Sequence, residues 1–239
     1  MRMMQSSHTG IFALCLAPFL GAASVNAADT FVVHGIPGQD LGLAPELTVD
    51  IAANGGCLLP GVEFGDVAGP VDVAPGAYDI EIRLANAGNP CSGAIAVTGS
   101  ADIGVAPASV VIAHLDQNGG PEVSKFTTKT SAVDPANARI TVYHTAAAPD
   151  VDLRLNLASD HRRVAAIQGL GNGEQTFPAD LPADSYAVLV SPASGQPGRF
   201  LDPIAEIPVS LDGGTATAVF AVGSLDNQTF SVIPVAVIE

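Results

Sequence analysis

The chain reads as an all-β protein: two tandem Ig-like antiparallel β-sandwich domains after a cleaved signal peptide. Three observations predict this. The apolar runs are short, rich in Val and Ile, and broken by Gly, Pro, Asn or Asp every 8 to 12 residues, which is the spacing of strands and turns in a sandwich or barrel. Residues from about 30 to 130 and from about 139 to 239 read as two diverged copies of one unit, so every feature of one copy has a twin against which to weigh it. The N-terminus has the layout of an export signal.

That signal comes first in the chain. Arg2 supplies the positive end and the stretch from Gly10 to Ala23 the apolar core, while Val25 and Ala27 suit the −3 and −1 positions of a cleavage site. Cleavage is expected after Ala27, with Ala28 as the neighbouring option. The apolar run falls short of the ~20 residues a spanning helix needs, and Pro18 interrupts it. The organisation that follows is a signal peptide at 1–27, a first sandwich at 28–130, a linker at 131–138 and a second sandwich at 139–239. No later segment is apolar over a length that spans a bilayer, so the mature chain is expected to be soluble in the periplasm or outside the cell.

The copies correspond strand by strand. TFVVHGIPG in the first is answered by RITVYHTAAAPD in the second, which puts His34 and His144 at equivalent places. LTVDIAANG is answered by VDLRLNLAS, and Tyr78 by Tyr186. Apolar and polar residues alternate over Leu47–Ile51, Tyr78–Leu84 and Val151–Leu157, as in strands buried on one face. Ser109–Ala113 and Ala216–Val222 are apolar or small throughout and are expected to be inner strands. Pro75-Gly76 and Pro182-Ala183-Asp184 are turns that launch the strands of Tyr78 and Tyr186, and each tyrosine is expected to tie its hydroxyl back to that corner. The joint from Thr127 to Asn137 is short, so the two sandwiches should touch and keep a restricted orientation.

Two cysteines remain after cleavage, Cys57 and Cys91, both in the first copy. Export favours a disulfide between them, worth ~3–4 kcal/mol for the loop it closes. The formal charge is −15, becoming −16 when Arg2 leaves with the signal. A surface this acidic repels phosphate backbones, so nucleic acid and anionic membrane are excluded as partners.

RITVYHTAAAPDVDLRLN resembles the opening signature of the domain of unknown function 4397 family, through Arg139, Val142, His144, Pro149, Val151, Asp152 and Leu153. VEFGDVAGPVDVAPGAYDIEI resembles a second element of that family, through Gly65, Val73, Pro75, Gly76, Tyr78 and Ile80. TAAA departs from the family pattern between His144 and Pro149. The resemblance implies an exported, β-rich, often repeated protein and no established activity.

Chemistry-bearing residues are sparse. His34 and His144, with Asp150 and Asp152 beside the second, are the candidates for a metal site or a general base; the competing expectation is that the histidines bond the turn that follows them. His114 and Asp116 lie two apart at a strand end and could offer two metal ligands, short of the three a site needs. Asp150 and Asp152 could hold calcium, although Asp152 is expected to bind backbone amides. Ser191-Pro192-Ala193-Ser194-Gly195 is no nucleophile elbow. Asn227-Gln228-Thr229 matches a glycosylation acceptor. Aromatic residues make up 5% and there is no Trp, which disfavours a sugar-stacking face. The expectation is a non-catalytic exported structural or binding module without a cofactor, meeting an unidentified protein or polymer of the envelope. The alternative is a metal-binding protein using His34 or His144 with nearby carboxylates.

Overall fold

The computed structural model describes residues 28–105, 108–129, 131 and 133–237; the expected signal peptide, 1–27, lies outside them. The first half contributes β1 (Ala28–His34), β2 (Val49–Ala53), β3 (Gly56–Val62), β4 (Val67–Val73), β5 (Gly76–Leu84), β6 (Ile95–Ile103), β7 (Ser109–Leu115) and β8 (Pro121–Thr127). The second contributes β9 (Asn137–His144), β10 (Val151–Leu157), β11 (Arg163–Leu170), β12 (Glu174–Gln175), β13 (Ala179–Pro182), β14 (Ser185–Pro192), β15 (Ala205–Ser210), β16 (Ala216–Val222) and β17 (Ser231–Val237). Apart from a 3-10 turn at Gly38–Leu41, no helix occurs among the described residues, and none there is long and apolar enough to cross a membrane.

Four sheets result, ordered β4-β1-β7-β8 and β3-β2-β5-β6 in the first half, and β12/β13-β9-β16-β17 and β11-β10-β14-β15 in the second. The strand orders match one for one, with the broken pair β12 and β13 standing where β4 stands. One detail refines the antiparallel expectation: β1 runs parallel to β7 and β9 runs parallel to β16. In each half the opening strand lies beside a strand from near the end of that half, so the chain between them passes through the other sheet instead of folding back through a hairpin.

The two halves are joined face to face. Along β1, Val32 packs into the first sandwich while Phe31 and Val33 point the other way. Along β7, Val111 and Ala113 face the sandwich, and Val110 and Ile112 face away from it. The outward set meets Tyr143 of β9, Phe220 and Val222 of β16, and Ile233, Val235 and Val237 of β17 in one buried cluster. This is why Ser109–Ala113 and Ala216–Val222 are apolar without alternation: both faces of β7 and β16 are covered. Tyr143 and Phe220 stack with centroids 4.4 Å apart, and Phe126 of β8 meets Tyr143 edge-on at 4.9 Å. Rings buried in this way contribute about 1.5–3 kcal/mol each from burial.

Polar contacts fix the seam at its end. Asp40 accepts hydrogen bonds from Asn227 Nδ2 and Thr229 Oγ1, both at 2.7 Å, so the glycosylation-like triplet holds the halves together. Asn172 Nδ2 donates to Leu115 O at 3.0 Å and to Ala146 O at 2.7 Å. Gly35 lies where the halves meet: a Cβ there would stand 2.8 Å from the Val222 Cγ1 side-chain atom and 2.9 Å from Ala113 O.

Candidate functional site

His34 ends β1 and His144 ends β9, and the main chain of each closes the same turn. His34 O accepts the Gly65 N–H at 2.8 Å, and His144 O accepts the Gly173 N–H at 2.7 Å. Both glycines have positive φ, 90° and 78°, a backbone that other residues adopt only with strain. A carboxylate braces each turn: Asp66 Oδ2 accepts from Glu63 N at 2.8 Å, and Glu174 Oε2 from Gly171 N at 2.9 Å.

The rings point into the protein. His34 is 3% exposed and His144 1%. Burial lowers the His34 pKa to about 4, against the pull of Asp66. Burial also lowers that of His144, opposed by the Pro149 carbonyl and by Asp150. His144 Nε2–H donates to Pro149 O at 3.1 Å, the bond to the following turn that the sequence led us to expect. His114 is fully buried; Nδ1–H donates to Leu115 O at 3.0 Å and Nε2 accepts from Ser124 Oγ at 2.8 Å. Asp116 does not share a strand face with it, because β7 stops at Leu115. Its Oδ1 instead takes the N–H groups of Asn118 and Gly120, at 2.7 and 2.8 Å, and shapes the turn.

The Asp150–Asp152 pair is divided. Asp150 is exposed. Asp152 is 1% exposed, accepting from Gly169 N at 2.9 Å and Ser194 N at 3.1 Å. It anchors backbone, as expected, and is not free to act as a base. Its twin, Asp50, accepts from Gly61 N at 2.9 Å, Cys91 N at 2.8 Å and Asn86 N at 3.2 Å. Burial alone would raise the Asp50 pKa, but the three amides outweigh it and hold the carboxyl below its ordinary value. A cleft of about 290 Å³ opens beside Asp150, Asp152, Gln168 and Gln196. With Asp152 engaged, Asp150 is the carboxylate it presents. Among the described residues no group of three or more His, Cys, Asp or Glu is placed to hold a metal ion, so His34, His144, Asp150 and Asp152 do not converge as ligands.

The remaining expectations fall on structure. Cys57 and Cys91 are disulfide-bonded, with Cα atoms 5.5 Å apart. Tyr78 Oη donates to Ala74 O at 2.8 Å and Tyr186 Oη to Pro182 O at 2.7 Å, the same corner in both halves. Ser191 Oγ accepts from Arg154 at 3.2 Å, and Ser194 Oγ donates to Arg199 O at 2.8 Å; neither serine is bonded to a histidine among the described residues.

Sequence reasoning passed over two features. Asp50 aligns with Asp152 in the copy comparison, and that was its signal. The other feature is a cluster of arginines on the outer face of β11 and β10. Arg154 and Arg163 flank the Phe200 ring, 5.4 and 5.5 Å from its centroid, and Arg199 Nη1 donates to Gln196 Oε1 at 3.2 Å. Four of the nine basic residues lie between positions 154 and 199, a concentration visible in the sequence of so acidic a chain.

No curated protein matches this chain. Among solved structures it is similar to the Bacillus anthracis TIE protein, at 9% identity and a TM-score of 0.28. The match covers 82% of this chain and 34% of that one, so the chain spans about a third of the other's length, and the superposition is too loose to assign a role. The family model described as a domain of unknown function, DUF4397, matches residues 31–154. That segment runs from β1 through most of β10 and includes both histidine turns' parent strands, the Asp50 anchor, the disulfide and the Tyr78 corner; by this match, the chain belongs to the DUF4397 family.

Proposed function

We propose that this protein is an exported, non-catalytic structural or binding module of the cell envelope or extracellular space. The observation that carries the reading is the shared core of Phe31, Val33, Phe126, Tyr143 and Phe220. It makes the two sandwiches one stiff block whose loops and outer sheets are held in fixed relation, the property a scaffold or docking module needs. The Cys57–Cys91 disulfide suits an oxidising compartment. The His144 ring bonds the turn at Pro149, the His34 ring is buried at the matching place, and Asp152 accepts backbone amides, which supports a structural use for the residues that looked chemical.

The test is fractionation of cells making the full chain. We expect the protein outside the cytoplasm, beginning after Ala27, with Cys57 and Cys91 oxidised. A cytoplasmic product with its leader intact and free thiols contradicts export. Saturable turnover of a substrate that His144→Ala abolishes contradicts the non-catalytic reading.

A further inference from the structure

We propose that the exposed edge of β11 binds an extended peptide segment whose side chains alternate between acidic and apolar, with the carboxylates against Arg163 and Arg154 and the apolar groups against Phe177. The inference rests on the binding-module reading and deepens it by naming a surface and a partner chemistry.

The argument starts from the sheet edges. An open edge pairs with any strand that reaches it, and proteins block edges with proline, shortness or cover. Here β3 carries Pro60, β4 Pro70, β8 Pro121, β13 Pro182, β15 Pro208 and β17 Pro234. β12 has two residues. β6 lacks proline but is covered by β8: Lys125 Nζ donates to Asp102 O at 3.1 Å, and a Cβ at Gly99 would meet Val123 at 2.5 Å. β11, Arg163–Leu170, is an edge of eight residues with neither proline nor a covering strand.

What flanks this edge gives the partner's chemistry. Among the described residues Arg83, Arg139 and Arg162 lie within ion-pair distance of carboxylates; Arg154, Arg163 and Arg199 do not. In a chain with 24 acidic residues against nine basic ones, Arg154 and Arg163 flank Phe200 and Arg199, bonded to Gln196, precedes it in the chain. Asn156, which is in register with Arg163, has a buried Oδ1 with no hydrogen-bond partner, as does Arg154 at Nε. The acidic groups of this face by register are Asp152, two residues before Arg154 on β10 and engaged by the Gly169 and Ser194 amides, Glu206, in the row of Arg154 and Leu189 but two strands away, and Asp160, paired with Arg162 at 3.8 Å. An open cleft of about 370 Å³ lies between Arg163, Gln168, Gly198 and Phe200. On the opposite face of the same edge, Phe177 is 94% exposed at the mouth of an apolar gap of about 50 Å³ shared with Ala165, Ile167 and Leu181. A strand added to β11 sends successive side chains to opposite faces. One set therefore meets guanidinium groups and the other meets Phe177, with main-chain pairing supplying affinity and the two faces supplying specificity.

The test is fluorescence anisotropy on the mature protein with a labelled eight-residue peptide alternating Asp and Val. The comparators are the same composition in scrambled order and an alternating Lys–Val peptide. Binding of the Asp–Val peptide should weaken about ten-fold or more in Arg163→Glu, where attraction becomes repulsion, and measurably in Phe177→Ser. Both side chains are exposed; because Arg163 also lies against Phe200, the urea midpoint of Arg163→Glu is measured alongside, and Phe177→Ser supplies the variant that leaves that contact intact. Amides of β11, and not those of β8, should gain hydrogen-exchange protection on binding. Equal binding of the scrambled or Lys–Val peptide, undiminished binding by Arg163→Glu, or no binding of the Asp–Val peptide overturns the proposal. Self-association of the free protein that Arg163→Glu abolishes also overturns it, in favour of a second copy. None of these outcomes bears on export or on the absence of catalysis.

Discussion

The connection between β5 and β6 and the connection between β14 and β15 do the same job by different means. Each crosses the outer face of its sandwich, and each is pinned by a buried aspartate, Asp50 or Asp152, that accepts its backbone amides. In the first half the loop is also bonded covalently to the edge strand through Cys91 and Cys57. The second half has no cysteine. There Gln168 of β11 donates to Gln196 O and Arg199 O at 3.1 and 2.8 Å, accepts from Gly198 N at 2.7 Å, and Phe200 sits between two guanidinium groups. The arginine of the first outer face, Arg83, is neutralised by Glu81 at 2.7 Å, whereas those of the second have no carboxylate. One fold thus carries an outer face whose arginine is paired with a carboxylate and one whose Arg154 and Arg163 lie against Phe200 instead.

The largest test of that contrast asks whether the halves are separable at all. Phe220→Ala empties the centre of the shared core and should lower stability by about 3–5 kcal/mol, read as a lower urea midpoint for probes placed in either half. Next come the two loop ties. Replacing Cys57 and Cys91 by Ser should cost about 3–4 kcal/mol, the chain entropy of a loop with a sequence separation of 34. Gln168→Ala should cost about 1–2 kcal/mol, the scale of a few partly exposed hydrogen bonds. Equal costs in chemical denaturation would erase the distinction.

Acid should lower the stability of the whole block, through His34 and His114 in the first half and His144 in the second. Burial lowers all three in the folded state, so the unfolded chain takes up their protons first. The stability they allow is complete above the ordinary pKa of 6.5 and falls as pH drops from there toward about 4 for His34. The slope from His34 should be about 1.4 kcal/mol per pH unit inside that window, and His114 and His144 add to it in the same direction. Urea midpoints between pH 7 and 5 measure it, and His34→Gln should flatten it. The smallest effect separates the tyrosine corners. Tyr186→Phe should cost about 1 kcal/mol, and Tyr78→Phe less, because Tyr186 is 1% exposed and buries its bond while Tyr78 lies nearer solvent.

What was legible in the sequence was what local pattern encodes. Turn residues before Tyr78 and Tyr186 marked the corners, the expectation of export made Cys57 and Cys91 a pair, and the unbroken apolar runs marked β7 and β16 as inner strands. Those runs did not reveal that the other half covers their second face, because nothing local records which surface lies opposite. Alternation placed Asp50 on a polar face, yet the loop carrying Asn86 and Cys91 closes over it. His34 and His144 resembled a site because matching positions look like shared chemistry; their burial and the bond from His144 to Pro149 O exist only once the turns have formed. The arginines of this face are concentrated in the sequence, but Phe200, 37 residues after Arg163, joins them only when the loop before β15 folds onto β10 and β11.

The claim that two similar sandwiches form one block is tested most directly by scanning calorimetry of the mature, oxidised protein. The account predicts a single transition whose calorimetric and van't Hoff enthalpies agree, moving as a whole to lower temperature in Phe220→Ala. Two resolved transitions, one of them unmoved by Phe220→Ala, would contradict it.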